Sequence, residues 1–147
     1  MTTLSATLSA EIDAHGCRTY PEECVGALIG SCDRSSVSFS IEQLLPLDNS
    51  SAENRRRRFS IAPTEYLAAE KAAAAAGKRL IGFYHSHPDH PACPSATDLS
   101  FAMPHFVYII VSIEGKEGAP RAGDVGAFIL NHTGAEFTTD ELIRGDL

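Results

Sequence analysis

Two histidines and an aspartate in the stretch 83–101 could bind one metal ion. His85 and His87 are two positions apart at the end of an apolar run, and Asp98 follows after a proline-rich loop. Side chains two apart on a β-strand point to the same face, so both imidazoles can reach one ion. Zinc prefers imidazole nitrogen and carboxylate oxygen, and catalytic zinc sites keep one position open for water. The pattern therefore predicts a zinc site with His85, His87 and Asp98 as ligands.

Hydrolysis at such a site needs two further groups. Ser95 lies about one helical turn before Asp98, so its hydroxyl can stand beside the metal and donate to a developing oxyanion. The same serine is also a favourable helix N-cap. A zinc-activated water needs a general base. Glu22 and Glu23, just before an apolar strand, are both candidates at this point.

The elements that carry these residues can be predicted from hydrophobic periodicity and turn residues. Helices are predicted at Leu4–Cys17, Thr64–Ala76 and Ala96–Met103. Strands are predicted at Val25–Ser31, Val37–Ile41, Phe59–Ile61, Leu80–His85, Phe106–Ile113, Val125–Leu130 and Ala135–Thr139. The first two strands are expected to form an antiparallel hairpin. The alternation predicts one α/β domain over residues 1–147, with a mixed, curved sheet flanked by helices and the site at strand ends.

Helix ends are predicted from capping residues. Ser5 or Thr7 can cap the first helix, and Gly16 can end it. Pro63 suits the first turn of the second helix, and Gly77 suits its end.

Composition and charge exclude several classes of function. The 147 residues carry a net charge of -7, which disfavours nucleic acid as a partner because phosphate binding needs a basic face. No apolar run approaches the roughly 20 residues of a membrane span, so no membrane partner is expected. The N-terminus lacks the features of a signal peptide, which favours a cytoplasmic location. The four cysteines have no C-x-x-C spacing and are expected as separate thiols.

A resemblance to a known family appears at these motifs. The pattern His85-x-His87-Pro88, six residues, then Ser95-x-x-Asp98 resembles the motif of JAMM/MPN+ zinc metalloproteases. The segment Pro21-x-Glu23-x-x-Gly26-x-Leu28-x-Gly30 resembles the glutamate segment of that family. The stretch 59–63, followed by a helix, is also similar, so the resemblance covers roughly residues 12–130. One departure is Ala62, where relatives often carry an aspartate that caps a helix.

The resemblance implies a compact prokaryotic-type member with the JAMM/MPN fold, which is similar to the cytidine-deaminase fold. It implies that His85, His87 and Asp98 bind zinc, that Glu23 is the base, and that Ser95 steadies the tetrahedral intermediate. It implies cleavage after the C-terminal Gly-Gly of a ubiquitin-like or sulfur-carrier protein. Whether the bond is a peptide or an isopeptide bond, which protein is the substrate, and which oligomer forms all stay open.

Other interpretations stand beside this one. A metal-free MPN-type scaffold that only binds partners is the alternative, although this chain keeps every motif residue. A zinc hydrolase of small molecules, as in the deaminases, would need a P-C-x-x-C pattern that is missing here. His90 and Cys93 lie in the loop near the site, and both are expected to be ordinary loop residues. Arg55–Arg58 could recognise an acidic ubiquitin-like partner or its C-terminal carboxylate, or could equally be a solvated charge run.

Overall fold

The computed structural model describes residues 1–145, which form eight strands and three helices. The strands are β1 (Thr2–Leu4), β2 (Val25–Asp33), β3 (Ser38–Leu47), β4 (Arg79–Pro88), β5 (Val107–Glu114), β6 (Arg121–Leu130), β7 (Phe137–Asp140) and β8 (Leu142–Arg144). The helices are α1 (Ala6–Thr19), α2 (Pro63–Ala75) and α3 (Ala96–Phe101). Among the described residues, no helix has the length and apolar character needed to cross a membrane.

All eight strands belong to one mixed sheet in the order β7-β6-β5-β4-β2-β3-β1-β8. The pairs β1–β3, β1–β8 and β4–β5 are parallel, and the other pairs are antiparallel. β7 and β8 lie at opposite ends of this order, yet only Glu141 separates them in the chain. The sheet must therefore curve until its two ends approach each other, and it is nearly closed. The predicted mixed, curved sheet is confirmed.

The pairing of β2 with β4 brings distant parts of the chain together. The two strands are antiparallel, and Val25 at the start of β2 stands opposite His85 near the end of β4. On the other side, β5 runs parallel to β4, with His87 opposite Ser112. Residues just before β2 therefore lie beside the carboxyl end of β4.

Helices cover both faces of the central strands. On one face α1 packs through Ile12 against a core that contains Leu28 and Ile109. On the other face α2 packs through Ala69 against a core that contains Phe83. Ala69 is fully buried, and its small side chain lets the helix approach the sheet closely.

The segment Phe59–Ile61 is not a strand, so that prediction is wrong. Its backbone groups bond to the neighbouring loop and not to a strand: the Ser60 carbonyl accepts from the Ser50 N–H, and the Ser60 N–H donates to Asn49 Oδ1. The segment instead runs as an extended loop, and Phe59 packs its ring against His85.

Other boundaries differ because pairing partners lie far away in sequence. β1 and β8 are three-residue strands that pair with each other, and neither was predicted. β3 and β6 are longer than expected, because each continues along a neighbour beyond its apolar stretch. Val37 lies in the turn with a φ of 51°, not in the strand.

The helix ends follow the expected chemistry with one exception. Ser5 caps α1 by accepting a hydrogen bond from the Leu8 N–H. α1 then continues through Gly16, where an added Cβ would lie 2.8 Å from Ile113 Cδ1. Gly16 thus permits close packing on the sheet and does not end the helix. Ala62 forms no side-chain cap for α2, and Gly77 follows that helix with a φ of +69°.

Candidate metal centre

The end of β4 presents two histidines toward the α2 face of the sheet. The strand runs to Pro88, beyond the predicted end at His85, so both histidines lie on it. Both side chains are buried, and their Nε2 atoms lie 3.1 Å apart. This follows from the period of two along a strand, which puts alternate residues on one face.

Asp98 reaches the same point from the first turn of α3. Its carboxylate oxygens lie 3.2 Å from His85 Nε2 and 3.1 Å from His87 Nε2. Its orientation is set by a capping box: Ser95 N–H donates to Asp98 Oδ2 at 2.8 Å, and Asp98 N–H donates to Ser95 Oγ at 3.0 Å. Ser95 itself is exposed at the rim of the centre.

Glu23 is the fourth member of the group. It precedes β2, and the antiparallel pairing of β2 with β4 carries it to His85, with Oε1 4.0 Å from Nε2. One ligand atom from each of Glu23, His85, His87 and Asp98 can be chosen so that all lie within 4.8 Å of one another. Glu22, the other candidate, is exposed to solvent. The structure therefore brings Glu23, and not Glu22, to the site.

Burial controls the charge of Glu23. Only 2% of its surface is exposed, and this desolvation raises the pKa to about 8. The negative charge of Asp98 raises it further, while His87 opposes the shift. Glu23 Oε1 also has no hydrogen-bond partner among the described residues. A carboxylate in this state is a ready acceptor for a proton or for a group held between it and the histidines.

The other three groups are coupled to one another. Burial acts to raise the pKa of Asp98, but hydrogen bonds from His85 and His87 outweigh it and lower the pKa. Burial lowers the pKa of His85. For His87, burial acts to lower the pKa, but the contacts with Asp98 and with the Pro91 carbonyl outweigh it and raise the pKa. An ionised Asp98 beside His85 held neutral is a donor set suited to a cation.

A further contact orients His87. Its Nδ1 donates to the carbonyl oxygen of Pro91 at 2.9 Å, so in the neutral imidazole the lone pair lies on Nε2, which faces the centre. Metal-binding histidines in proteins are usually held by such a second hydrogen bond. The proline-rich loop thus supplies an orienting carbonyl as well as the connection from β4 to α3.

Asn49 is a positioning residue that the sequence patterns did not reveal. Its Nδ2 donates to the carbonyl oxygens of Glu23 at 3.2 Å and Arg58 at 2.8 Å. Its Oδ1 accepts from the N–H groups of Ser51 and Ser60. One side chain therefore joins the backbone of Glu23 to the loop that carries Phe59. No local pattern marks such a residue, because all its partners depend on the fold.

The remaining candidates lie outside the four-residue group. The ring of His90 stands 6.3 Å from that of His87, and its carbonyl accepts from the Ser112 hydroxyl. Cys93 is exposed, and all four cysteines are free, as expected. His15, which had no predicted partner, is buried with Nδ1 2.7 Å from the Tyr84 hydroxyl.

An apolar cavity of about 220 Å³ opens beside the centre. His85 and Asp98 form part of its wall, and the rest is mainly aromatic and aliphatic, including Tyr66, Phe83 and Phe101. Phe101 is 60% exposed, so its ring is accessible at the mouth of the cavity. The cavity can accept an apolar group that approaches the metal ligands.

The residues present fit a metal ion. Two imidazole nitrogens and two carboxylates converge, although groups of this kind would otherwise separate or pair fully when buried. Instead Glu23 Oε1 is left without a partner next to His85 Nε2. A cation among these atoms explains both the crowding and the missing partner.

The chain matches the family described as prokaryotic homologs of the JAB domain over residues 5–123. It belongs to this family. A desampylase from Haloferax volcanii is 37% identical to this JAB-domain protein over 97 residues, which are 65% of this chain and 66% of that protein. A probable TtuB-protein conjugate cleaving protease from Thermus thermophilus is 32% identical over 125 residues, which are 84% of this chain and 79% of that protein.

Solved structures agree with this assignment. A protein from Desulfitobacterium hafniense has a TM-score of 0.79 and 29% identity, with 100% of this chain and 94% of that chain covered. A JAB1/MPN domain protein from Archaeoglobus fulgidus has a TM-score of 0.59 and 22% identity, covering 99% of this chain and all of that one. The second likeness concerns the fold alone. The resemblance to the JAMM/MPN+ family is confirmed, and members of that family depend on a metal.

Proposed function

We propose that this JAB-domain protein is a zinc metallopeptidase that cleaves after the C-terminal tail of a ubiquitin-like or sulfur-carrier protein. The observation that carries the proposal is the buried group Glu23, His85, His87 and Asp98. The names of the two relatives, a desampylase and a probable conjugate cleaving protease, support the reaction and the class of substrate.

The donor set supports zinc as the metal. Two imidazoles and one carboxylate are the ligands expected of a catalytic zinc site, which keeps a position free for water or substrate. We assign His85, His87 and Asp98 as those ligands. Glu23 is then not a metal ligand, and its carboxylate can accept a proton.

In the proposed reaction the chain's own residues move the proton and hold the substrate. Bound zinc supplies a Lewis acid that polarises the scissile carbonyl and lowers the pKa of water at the site. Glu23 takes a proton from the attacking water and passes it to the leaving amine. Because Ser95 Oγ accepts from the Asp98 N–H, its own hydroxyl proton remains free to donate to the oxyanion.

The substrate tail enters in an extended conformation. A Gly-Gly end is narrow enough to approach the buried centre, and an apolar residue before it can enter the cavity lined by Phe83 and Phe101. Backbone hydrogen bonds to an added strand are the usual way to hold such a peptide. We expect neither a nucleic acid nor a membrane as partner, and the cytoplasmic location stays a prediction.

One experiment tests the proposal. Sulfur-carrier and ubiquitin-like proteins, each extended or conjugated at the C-terminal Gly-Gly, are incubated with the zinc-loaded protein, and the products are identified by mass spectrometry. We expect cleavage at the Gly-Gly junction, loss of cleavage after chelation, and recovery with added zinc. If zinc is bound and no junction is cut, the enzyme proposal is wrong, and the alternative of a binding scaffold replaces it.

A further inference from the structure

Four consecutive arginines, Arg55–Arg58, form a basic surface beside the metal centre. All four are exposed. The chain has twelve lysines and arginines and nineteen acidic residues, and this run holds a third of the basic residues. Even so, in residues 1–145 no carboxylate forms an ion pair with any of the four guanidinium groups. The positive charge of this surface is therefore available to another molecule.

Hydrogen bonds attach this surface to the catalytic residues at both ends of the run. The Glu23 N–H donates to the Arg55 carbonyl at 2.7 Å. Asn49 Nδ2 donates to the Arg58 carbonyl at 2.8 Å and also to the Glu23 carbonyl. The next residue, Phe59, stacks on the His85 ring with centroids 4.6 Å apart. The position of the arginines relative to the site is thus set by backbone contacts that do not use their charges.

The arginine run lies next to the metal centre, because the Arg55 carbonyl contacts the Glu23 N–H and the residue after Arg58, Phe59, contacts the His85 ring. A protein docked at the metal centre would meet this charge.

We propose that Arg55–Arg58 are the docking surface for an acidic face on the folded body of the ubiquitin-like substrate. This inference rests on the proposed function and deepens it, because it adds a contact with the body of the substrate to the contact with its tail. Charge complementarity of this kind steers association and raises the on-rate more than it raises the rate of chemistry. A nucleic acid is the less suitable occupant, since the chain as a whole carries a net charge of -7.

The test compares a charge-reversed surface with a matched control. The docking variant combines Arg56→Glu, Arg57→Glu and Arg58→Glu. It leaves Arg55 unchanged, because Arg55 Nε donates to the Ser51 carbonyl. The control makes the same change in net charge at three exposed residues elsewhere on the chain, Arg34→Glu, Lys71→Glu and Arg79→Glu. A milder variant with Gln at positions 56–58 removes the charge without reversing it.

Each protein receives two substrates. One is an acidic sulfur carrier extended by a peptide after Gly-Gly, and the other is a short fluorogenic peptide with only the same tail. For the whole carrier we expect the docking variant to lose about tenfold in kcat/KM, through KM. The Gln variant should lose less, and the control less than twofold. All of these proteins should cut the short peptide with the same kcat/KM. Added salt should lower kcat/KM for the whole carrier more in the wild type than in the docking variant.

The outcomes separate the two proposals. Binding of the carrier, followed by fluorescence anisotropy, needs no catalysis. If the wild type binds the carrier through the arginines but never cuts it, the enzyme proposal is wrong and the docking surface stands. If the carrier is cut equally well by the docking variant and the wild type, the docking surface is wrong and the enzyme stands. The docking proposal would also be wrong if the docking variant lost binding to an oligonucleotide but bound the carrier as well as the wild type does.

Discussion

β4 carries buried polar side chains on both of its faces, and the two sets differ in how they are paired. On the α1 face, the Tyr84 hydroxyl contacts His15 Nδ1 at 2.7 Å, and Ser86 Oγ accepts from the Cys24 N–H at 2.8 Å. On the α2 face, His85 Nδ1 and Glu23 Oε1 have no partners within residues 1–145.

The difference indicates which set is structural. Buried polar groups cost stability unless they are hydrogen-bonded, so a fully paired set is sufficient to explain its own presence. An incompletely paired set has a stability cost that packing does not explain. We infer that the α1 face holds the sheet together and that the α2 face is kept for binding and reaction.

The largest expected effect is on the α2 face. Glu23→Gln keeps the size of the side chain and removes the carboxylate that we propose as the base. We expect cleavage to fall by about 10² to 10⁴-fold, because a positioned base contributes in this range. Bound zinc, measured by mass spectrometry of the native protein or by elemental analysis, should be unchanged. Cleavage at the wild-type rate would show that Glu23 is not the base.

The same residue should control the stability of the metal-free protein. The pKa of Glu23 is about 8 when folded and near 4.5 otherwise, so between these values the folded state binds more protons. Stability therefore falls as pH rises across this window. Between acidic pH and pH 8, the unfolding free energy of metal-free Glu23→Gln should rise by about 4 kcal/mol relative to that of the wild type. Chemical denaturation at several pH values measures it. A pH-independent difference would contradict the burial argument.

A change on the α1 face should lower stability and leave catalysis unchanged. Tyr84→Phe removes the hydroxyl and leaves buried His15 Nδ1 without its partner. We expect a loss of about 2 kcal/mol in unfolding free energy, the usual cost of one unsatisfied buried group. Zinc content and kcat should stay within twofold of wild type. A large loss of kcat without loss of stability would remove the distinction between the two faces.

Asn49→Ala tests how the base is held. The change removes four hydrogen bonds to the backbone, two of which join Glu23 to Arg58, and we expect about a tenfold loss of kcat with zinc retained. Asn131→Ala is the matched control, because Asn131 organises the exposed turn before β7 in a similar way. The control should lower stability by about 1 kcal/mol and leave kcat unchanged. Equal losses of kcat in both variants would contradict a positioning role.

The smallest effect is expected at Ser95. Ser95→Gly removes the hydroxyl, while glycine remains an acceptable N-cap that costs only a few tenths of a kcal/mol. We expect unfolding free energy to change little and kcat to fall by no more than about tenfold. Ser95→Thr, which keeps both functions, should recover the activity. If the Gly variant cuts as fast as wild type, Ser95 is a helix cap and nothing more.

Local patterns predicted many of the elements around the centre. The apolar stretches of β2, β4 and β5 were sufficient to place these strands. Short β1 and β8 were missed because three residues carry no periodic signal, and their pairing joins the two ends of the chain. Phe59–Ile61 has strand-like residues, yet the backbone groups of Ser60 bond to Ser50 and to the side chain of Asn49. In each case the error concerned a bonding partner outside the segment itself.

By itself, the sequence determined the spacing of His85, His87 and Asp98. A strand period of two and one helix start are local properties, so they can be predicted without the fold. The tertiary structure decided that Glu23 reaches the centre while Glu22 faces solvent. It also decided that Asn49 and Phe59 support the centre, and that Arg55–Arg58 lie at its rim. The physical reason is that these placements depend on contacts between segments with no local relation: the register of β2 against β4 for Glu23, and the hydrogen bonds to Glu23 for the loop that carries the other residues.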